Sequence, residues 1–512
     1  MTRNCCVFLV CLSFLSVVPS AFGETSCENL TTLSLPNTTI TTAEFVPAGP
    51  YRPPVQGPGS PQPAAIMLPA SCRVAAVLKP SVDSSIGIEV WLPTEEWNGK
   101  FLAVGGGGWA GAVSSGSMRI ALQEHYATAS TDTGHKGDGG DASFAIGHPE
   151  KMVDYAYRAV HEMAIRSKAI INTFYGRGSR LSYWDGCSLG GRQGLMEAQR
   201  YPEDFDAIIA GAPANYHIHL VAADMAAGMA TLKSLLTPAK YALLNRSVLA
   251  ACDARDGVKD GLLTDPRTCR FDPSTLLCRE IETDNCLTAP QVEAAKTIYA
   301  PAKTKTGDVI FPGLEPGTEL GWGALTGGGP APLSLIQGAF MVAHDDPKWD
   351  WRTFDLDRDT ALADEKLGFI HAINPDLQAF KARGGKLLLY HGWNDPLIAP
   401  QNTVNYYSSV LAKMGTRQDN WLRLFMAPGM LHCGGGPGPS SINFLGAIER
   451  WRESGVAPDQ IMASHVTNNR VDMTRPLCPY PQVAHYQGIG RDRKSTRLNS
   501  SHLKLSRMPS SA

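Results

Sequence analysis

Gly186-Cys187-Ser188-Leu189-Gly190 decides how this chain of 512 residues is read. Gly-x-Ser-x-Gly marks a strand-to-helix turn too tight for bulky neighbours, with the serine hydroxyl held out at its apex. A cysteine stands directly before that serine, and another directly after a late histidine, in Leu431-His432-Cys433. If Cys187 bonds Cys433, the serine and the histidine are tethered through their sequence neighbours. A serine hydroxyl is a weak nucleophile at neutral pH and needs a base within reach. The two segments together therefore carry more than either alone.

Working outward, short apolar or alternating runs at Ile86 to Leu92, Phe101 to Val104, Tyr126 to Ser130, Tyr183-Trp184, Asp206 to Ala210, Lys386 to Tyr390 and Trp421 to Phe425 read as strands. Helical spacing runs from Met152 to about Tyr175, from Arg192 to Arg200 and from Thr403 to Met414. Residues 40 to 66 are proline-rich and read as extended surface chain. Between residues 215 and 380 the rhythm breaks into a stretch with four cysteines and many Asp, Gly and Pro. Strand–helix alternation on either side of an irregular insert predicts an α/β sheet flanked by helices, formed by residues 24–214 and 381–488, that carries a lid domain at 215–380.

That layout assigns roles. Ser188 is the candidate nucleophile, and His432, in a loop after the last clear strand, is its base. Asp395, just past the strand Lys386–Tyr390, is the carboxylate that orients the imidazole. Asp419 is the runner-up acid, but it precedes a strand and so falls at the wrong end of the sheet. The chain order Ser, Asp, His is that of the α/β-hydrolases. A developing oxyanion needs two backbone N–H donors. Leu189 supplies one, and Gly107 or Gly108, in the glycine run Gly105 to Gly108, the other. No Lys-Ser/Thr follows that run, so it is not a phosphate-binding loop.

Composition narrows the classes. The chain is 43% hydrophobic with a formal net charge of -2, which gives no electrostatic case for nucleic acid or an anionic membrane. Arg3, the apolar run Cys5 to Val18 and Ala21-Phe22-Gly23 form a cleavable export leader over residues 1–23. A secreted or periplasmic protein follows, with no membrane association after cleavage. Asn29, Asn37 and Asn245 open glycosylation sequons, relevant only in a eukaryotic host.

Of twelve cysteines, three leave with the leader. Local spacing suggests Cys252–Cys269 and Cys278–Cys286 as small loops. Cys27–Cys72 would pin the N-terminal segment, and Cys187–Cys433 is the long-range pair. Cys478 is left over. Residues 489–512 have no apolar period and resemble translated adapter readthrough, so they are read as a non-native tail that replaces the segment carrying the partner of Cys478.

The lid contains Cys252-Asp253-Ala254-Arg255-Asp256-Gly257-Val258-Lys259-Asp260-Gly261-Leu262. Three carboxylates at short spacing with intervening glycines can wrap a hard cation, and the carbonyls of Val258 and Leu262 can complete the oxygen shell. An acidic surface turn is the alternative from spacing alone.

Gly186 to Gly194, the Asp395 segment and His432-Cys433 together resemble the tannase and feruloyl esterase family. Gly107-Gly108-Trp109-Ala110-Gly111, Tyr201-Pro202-Glu203-Asp204-Phe205-Asp206 and Gly211-Ala212-Pro213-Ala214 extend the likeness over about residues 27 to 488. The resemblance implies an α/β-hydrolase domain with a large lid, a Cys187–Cys433 disulfide and a structural Ca²⁺. Its ligands would be the side chains of Asp253, Asp256 and Asp260 and the carbonyls of Val258 and Leu262. The implied activity is hydrolysis of aromatic carboxylic esters through an acyl-enzyme, hydroxycinnamate (feruloyl-type) esters first and gallate esters second. Small phenolic esters or feruloylated polysaccharides are the implied substrates. The family's terephthalate-monoester hydrolases carry a glutamate where Leu189 stands and an aromatic residue where Ile398 stands, which places this specificity last. Leu189 and Ile398 are then an apolar wall for the acyl ring. The lid aromatics Trp322, Phe340, Trp349 and Trp351 are either stacking residues or core. A non-catalytic glycan-binding homologue is the rival class, against which an intact Ser188, Asp395 and His432 argue. An acyltransferase using the same residues is the nearer rival.

Overall fold

The computed structural model describes residues 25–52 and 65–485. Residues 1–23, expected to be an export leader, and the tail at 489–512 lie outside them. Nine strands form the main sheet: β1 (Thr38–Val46), β2 (Ser71–Leu78), β3 (Ile86–Pro93), β4 (Lys100–Val104), β5 (Ala127–Thr131), β6 (Leu181–Cys187), β7 (Ala207–Gly211), β8 (Lys386–Gly392) and β9 (Leu422–Ala427). Their spatial order is β1-β2-β3-β5-β4-β6-β7-β8-β9. The first three pair antiparallel, β3 meets β5 antiparallel, and every pair from β5 to β9 is parallel. Parallel strands are covered on both faces and so read as unbroken apolar runs. Ala207-Ile208-Ile209-Ala210, buried throughout, shows this pattern.

The helices are α1 (Ser115–Gln123), α2 (Ala159–Tyr175), α3 (Leu189–Arg200), α4 (His217–Ser234), α5 (Pro238–Cys252), α6 (Ala289–Tyr299), α7 (Ser334–His344), α8 (Leu356–Leu367), α9 (Gln401–Met414) and α10 (Phe444–Ser454). One sheet face packs on α2, α3 and α9 through Met163, Ile170, Leu195, Met196, Val404 and Val410. The other packs on α1 and α10 through Met118, Leu122, Phe444, Ile448 and Trp451. This is the α/β-hydrolase type of layering, helices on both faces of a largely parallel sheet.

Three expectations change. Residues 38–46 are not loose surface chain but the edge strand β1, paired along its length with β2. Gly49–Tyr51 pairs with Ile66–Leu68, while the prolines at 53–54 and 58–63 fall outside the described residues. The insert is less irregular than its composition: α4 to α8 lie within it and bury a core around Trp322, Phe340, Ile336 and Ile298 that is shared with Trp109, Tyr155 and Leu189 of the sheet domain. Finally, Trp421 to Phe425 does not close the strand list. Ile461–Thr467 and Arg470–Leu477 form a hairpin through Asn468 and Asn469, both with positive φ, as a two-residue turn requires. Among the described residues no single helix is long and apolar enough to cross a membrane. The bent pair α4 and α5 passes such a test only jointly, and α4 is largely buried in the lid.

Among the described residues there are four disulfides: Cys27–Cys72, Cys187–Cys433, Cys252–Cys269 and Cys278–Cys286. Four such bonds fit an oxidising compartment outside the cytosol. Cys478 is buried and unpaired.

Candidate active site

Ser188 sits between the end of β6 and the first residue of α3, with φ 63° and ψ −121°. A side chain in the left-handed half of backbone space is strained, and such strain persists only where the surroundings over-determine it. Here they do. The Ser188 N–H bonds the carbonyl of Gly211 at 3.0 Å, and its own carbonyl accepts from Ala214 and Arg192. The glycines let the turn close: a Cβ on Gly105 would lie 2.5 Å from the Gly190 Cα. The glycine run is thereby pressed against the start of α3, with Gly190 N–H bonded to the Gly106 carbonyl.

Leu189 lies beside this contact, and Gly107 and Gly108 follow it in the glycine run. Leu189 is the first residue of α3, so its N–H has no intrahelical partner. Gly106 spends its N–H on Gln193 Oε1 at 3.1 Å. Gly107 and Gly108 make no such bond among the described residues. Gly108 has φ +55°, and a Cβ there would meet the Gly139 carbonyl at 2.2 Å. Gln193, which pins the run to α3, was not singled out from sequence, although it lies in the quoted motif.

Asp395 follows β8 and is fully buried. Its Oδ2 lies 2.7 Å from His432 Nδ1. Its Oδ1 accepts from the N–H groups of Leu397 and Ile398 at 2.9 and 3.0 Å. A residue the sequence reading passed over completes the set. His391 Nε2 lies 3.0 Å from the same Oδ2, and its Nδ1 lies 2.7 Å from Thr403 Oγ1. With two acceptors, Asp395 and the Ile398 carbonyl, around Nε2, that nitrogen carries the proton and Nδ1 accepts from Thr403. Burial by itself would push the Asp395 carboxyl up. The His432 charge and the bonds from His391 and His432 outweigh it and hold the group far below the usual carboxylate range. The imidazole moves the other way: burial pulls His432 down, but the Asp395 charge and hydrogen bond raise it above its ordinary value.

Cys187 and Cys433 are bonded, with Cα atoms 5.9 Å apart across a sequence separation of 246. Ser188 and His432 are therefore joined through their neighbours. The hydroxyl-to-ring link itself is not made: among the described residues Ser188 Oγ forms no hydrogen bond. Catalytic bonds of this kind commonly tighten only with substrate present. Asp419 is exposed at the start of β9, away from this cluster.

Leu189 and Ile398 come together in one apolar cluster with Trp109 and Ile218, each buried to within 3%. Of the lid aromatics, Trp322 and Phe340 are core, while Trp349 and Trp351 are half-buried against it. Trp322 is fully buried, packs on Tyr241 and Tyr299 and donates to Thr318. Phe340 packs on Trp349 and Phe354, and Trp351 lies under Arg352. Arg192, buried at the core, donates to the carbonyls of Ala156 and Ile370 and so ties the nucleophile helix to the end of the lid.

In the lid loop, Asp253 accepts from the N–H groups of Asp260 and Gly261, Asp256 from Val258 and the Thr264 hydroxyl, and Asp260 from Leu262. Gly257 and Gly261 turn the chain with positive φ. Burial raises the Asp260 carboxyl; Arg475 opposes this, and the charges of Asp256 and Asp253 add to it. The charges of Asp253 and Asp256 both bear on Asp260, and carboxylates with main-chain carbonyls are the donor chemistry that a hard, oxygen-seeking cation takes.

Comparison with known proteins adds the rest. The chain matches the model of the tannase and feruloyl esterase family over residues 72–500. An uncharacterized esterase of Xanthomonas campestris pv. campestris is 38% identical, covering 93% of this chain and 91% of the relative. A probable feruloyl esterase B-2 of Aspergillus terreus is 32% identical over 91% and 93%. Among solved structures, feruloyl esterase B from Aspergillus oryzae superposes with a TM-score of 0.83 at 30% identity, covering 91% of this chain and 97% of that one. Tannin acyl hydrolase from Aspergillus niger shares the fold, with a TM-score of 0.76 at 24% identity over 90% and 92%.

Proposed function

The chain belongs to the tannase and feruloyl esterase family and is a carboxylic ester hydrolase of that type, and from this premise we propose that it is an exported serine esterase whose preferred substrates are hydroxycinnamate esters. The observation that carries the mechanism is the Cys187–Cys433 bond, which joins the neighbours of an elbow serine and of a histidine held by a buried carboxylate.

In this reading Ser188 Oγ attacks the ester carbonyl while His432 Nε2 takes its proton. The imidazolium so formed is stabilised by Asp395, which its four hydrogen bonds keep ionised. The tetrahedral oxyanion is met by the N–H of Leu189 and by one from Gly107 or Gly108. His432 then protonates the leaving alcohol, and water repeats the cycle to release the acid. His391 is a positioning residue: it fixes the Asp395 carboxylate, and Thr403 fixes its own ring. Leu189 and Ile398 supply the apolar wall against which the acyl ring lies.

In the lid, Asp253, Asp256 and Asp260 would hold Ca²⁺ with the carbonyls of Val258 and Leu262. The ion would neutralise their mutual repulsion and brace the loop closed by Cys252–Cys269, away from the chemistry. The similarity to feruloyl esterase B and the four disulfides support an extracellular setting, with residues 1–23 as the export leader.

The test is a panel of methyl ferulate, methyl gallate and a terephthalate monoester, with and without an acceptor alcohol. Methyl ferulate turning over fastest, free acid as product and loss of turnover in Ser188→Ala agree with the reading. Turnover that survives Ser188→Ala overturns the mechanism. A dominant transfer product reassigns the reaction to acyl transfer, and preference for gallate reassigns the acyl group.

A further inference from the structure

At the far end of the nucleophile helix three side chains converge that ester hydrolysis does not use. His161 stands on α2, Glu197 near the end of α3, and Asp204 in the Tyr201–Asp206 turn that leads into β7. One ligand atom from each lies within 4.8 Å of the other two. His161 Nδ1 is 2.6 Å from Asp204 Oδ2, and the ring is fixed by stacking on Tyr201 with centroids 3.7 Å apart. Glu197 is the unusual member. It is 1% exposed, and neither of its carboxylate oxygens has a hydrogen-bond donor.

A buried carboxylate without donors is strongly disfavoured unless it is protonated or neutralised by a cation. Lys168 approaches from α2, but its ammonium donates to the main-chain carbonyls of Asp204 and Glu203. Burial pushes Glu197 well above the ordinary range; the Asp204 charge and a carboxyl-to-carboxylate hydrogen bond to Asp204 add to this, and Lys168 offsets only part of it.

We propose that His161, Glu197 and Asp204 bind a divalent transition-metal ion, Zn²⁺ first, at a site separate from the Asp253–Leu262 loop. One imidazole with two carboxylates is a mixed nitrogen–oxygen set, suited to Zn²⁺. Ca²⁺ takes six to eight oxygens. Three protein ligands leave a fourth tetrahedral position for water. The protons balance as follows. Glu197 gives up its proton to solvent, and His161 binds through the Nδ1 lone pair with one ring proton on Nε2. The ion would tie α2, α3 and the turn into β7 at one point. It would clamp the helix whose opposite end follows Ser188 and take no part in ester cleavage.

The experiment uses the folded protein stripped of transition metals and kept in excess Ca²⁺. Zn²⁺ binding is read by calorimetry in buffers of different ionisation enthalpy, and Co²⁺ serves as the absorption probe. About one ion should bind per chain with release of about one proton at about pH 8. Affinity should fall at least about tenfold in both His161→Ala and Glu197→Gln and stay unchanged in Asp256→Asn, and Zn²⁺ should raise Tm in the parent but not in Glu197→Gln. Circular dichroism checks that each variant is folded. If Glu197→Gln does not fold, the partly exposed His161→Ala carries the test. A parent that takes up no Zn²⁺, or uptake that is the same in His161→Ala, overturns the proposal.

Discussion

Replacing both Cys187 and Cys433 by serine separates geometry from stability. The bond closes a loop across a sequence separation of 246. Chain entropy for a loop of that size gives a ceiling of about 5 kcal/mol, and native disulfides typically contribute about 2–5 kcal/mol. The nested bonds Cys252–Cys269 and Cys278–Cys286 shorten the loop by too little to matter, because the dependence is logarithmic. Cys433 is exposed and Cys187 half-buried, so two serines leave no large cavity. Activity depends on something else. Apart from the disulfide, the base of the His432 loop is held by main-chain bonds Asn394–Met430, Met430–Ala427 and Gly438–Gly429 and by Asn394 Oδ1 on the Gly429 N–H. His432 itself is held only by the Leu431–Gly435 bond beside it and the Asp395 contact, and Gly434 to Gly436 follow directly. If the reactive arrangement falls to about 1% of the folded population, kcat drops about 100-fold, equivalent to about 2.7 kcal/mol. The assay is methyl ferulate turnover at 25 °C, where urea titration shows the variant still folded. A kcat within about threefold of the parent, alongside a stability loss of several kcal/mol, would refute the geometric role and leave the bond as a structural staple only.

Four further outcomes follow from the same geometry. Asp395→Asn should lower kcat/KM by about 10⁴-fold. It should also move the acid limb of the pH profile down, because the parent's His432 is raised by the Asp395 charge; a limb that stays or rises contradicts this. Asp395 is depressed in the folded state, so its stabilising contribution is complete above the ordinary carboxylate value of about 4 and is lost as pH falls through the lower folded value. The urea stability gap between parent and Asp395→Asn should therefore narrow in acid. Gly108→Ala, at positive φ and 2.2 Å from a carbonyl, should cost more than about 1 kcal/mol and lower kcat, whereas Gly107→Ala, with nothing within 4 Å of its Cβ, should be tolerated in Tm measurements. Chelating Ca²⁺ should lower Tm with kcat at 25 °C nearly unchanged while the protein stays folded, and Asp256→Asn should abolish that Tm response.

From Ile86 onward the central sheet was legible because its physics is local; Ser71–Leu78, which pairs between β1 and β3, was not read as a strand. Parallel strands buried on both faces are written as short apolar runs, and the elbow needs its glycines wherever it occurs. Cys252–Cys269 and Cys278–Cys286 followed from local spacing, whereas Cys187–Cys433 followed from its place beside the serine and the histidine and from the family resemblance. What escaped is tertiary. Thr38–Val46 is an edge strand whose threonines face solvent, so its half-polar pattern next to a proline-rich stretch resembles loop. Helix α4 is buried on several sides by lid neighbours, so its alanines and methionines show little amphipathic period. The Ile461–Leu477 hairpin left one readable sign, Asn468-Asn469 between alternating runs. His391 gave none: its role exists only because β8 and α9 bring Asp395 and Thr403 to opposite sides of one ring.

The most direct measurement is chemical trapping of the acyl group. Acid-quenching the protein during turnover of an activated ferulate ester, followed by peptide mass mapping, should find the feruloyl group on the peptide that carries Ser188. A feruloyl group on another residue, or turnover with no acylated peptide at any quench time, would contradict the account.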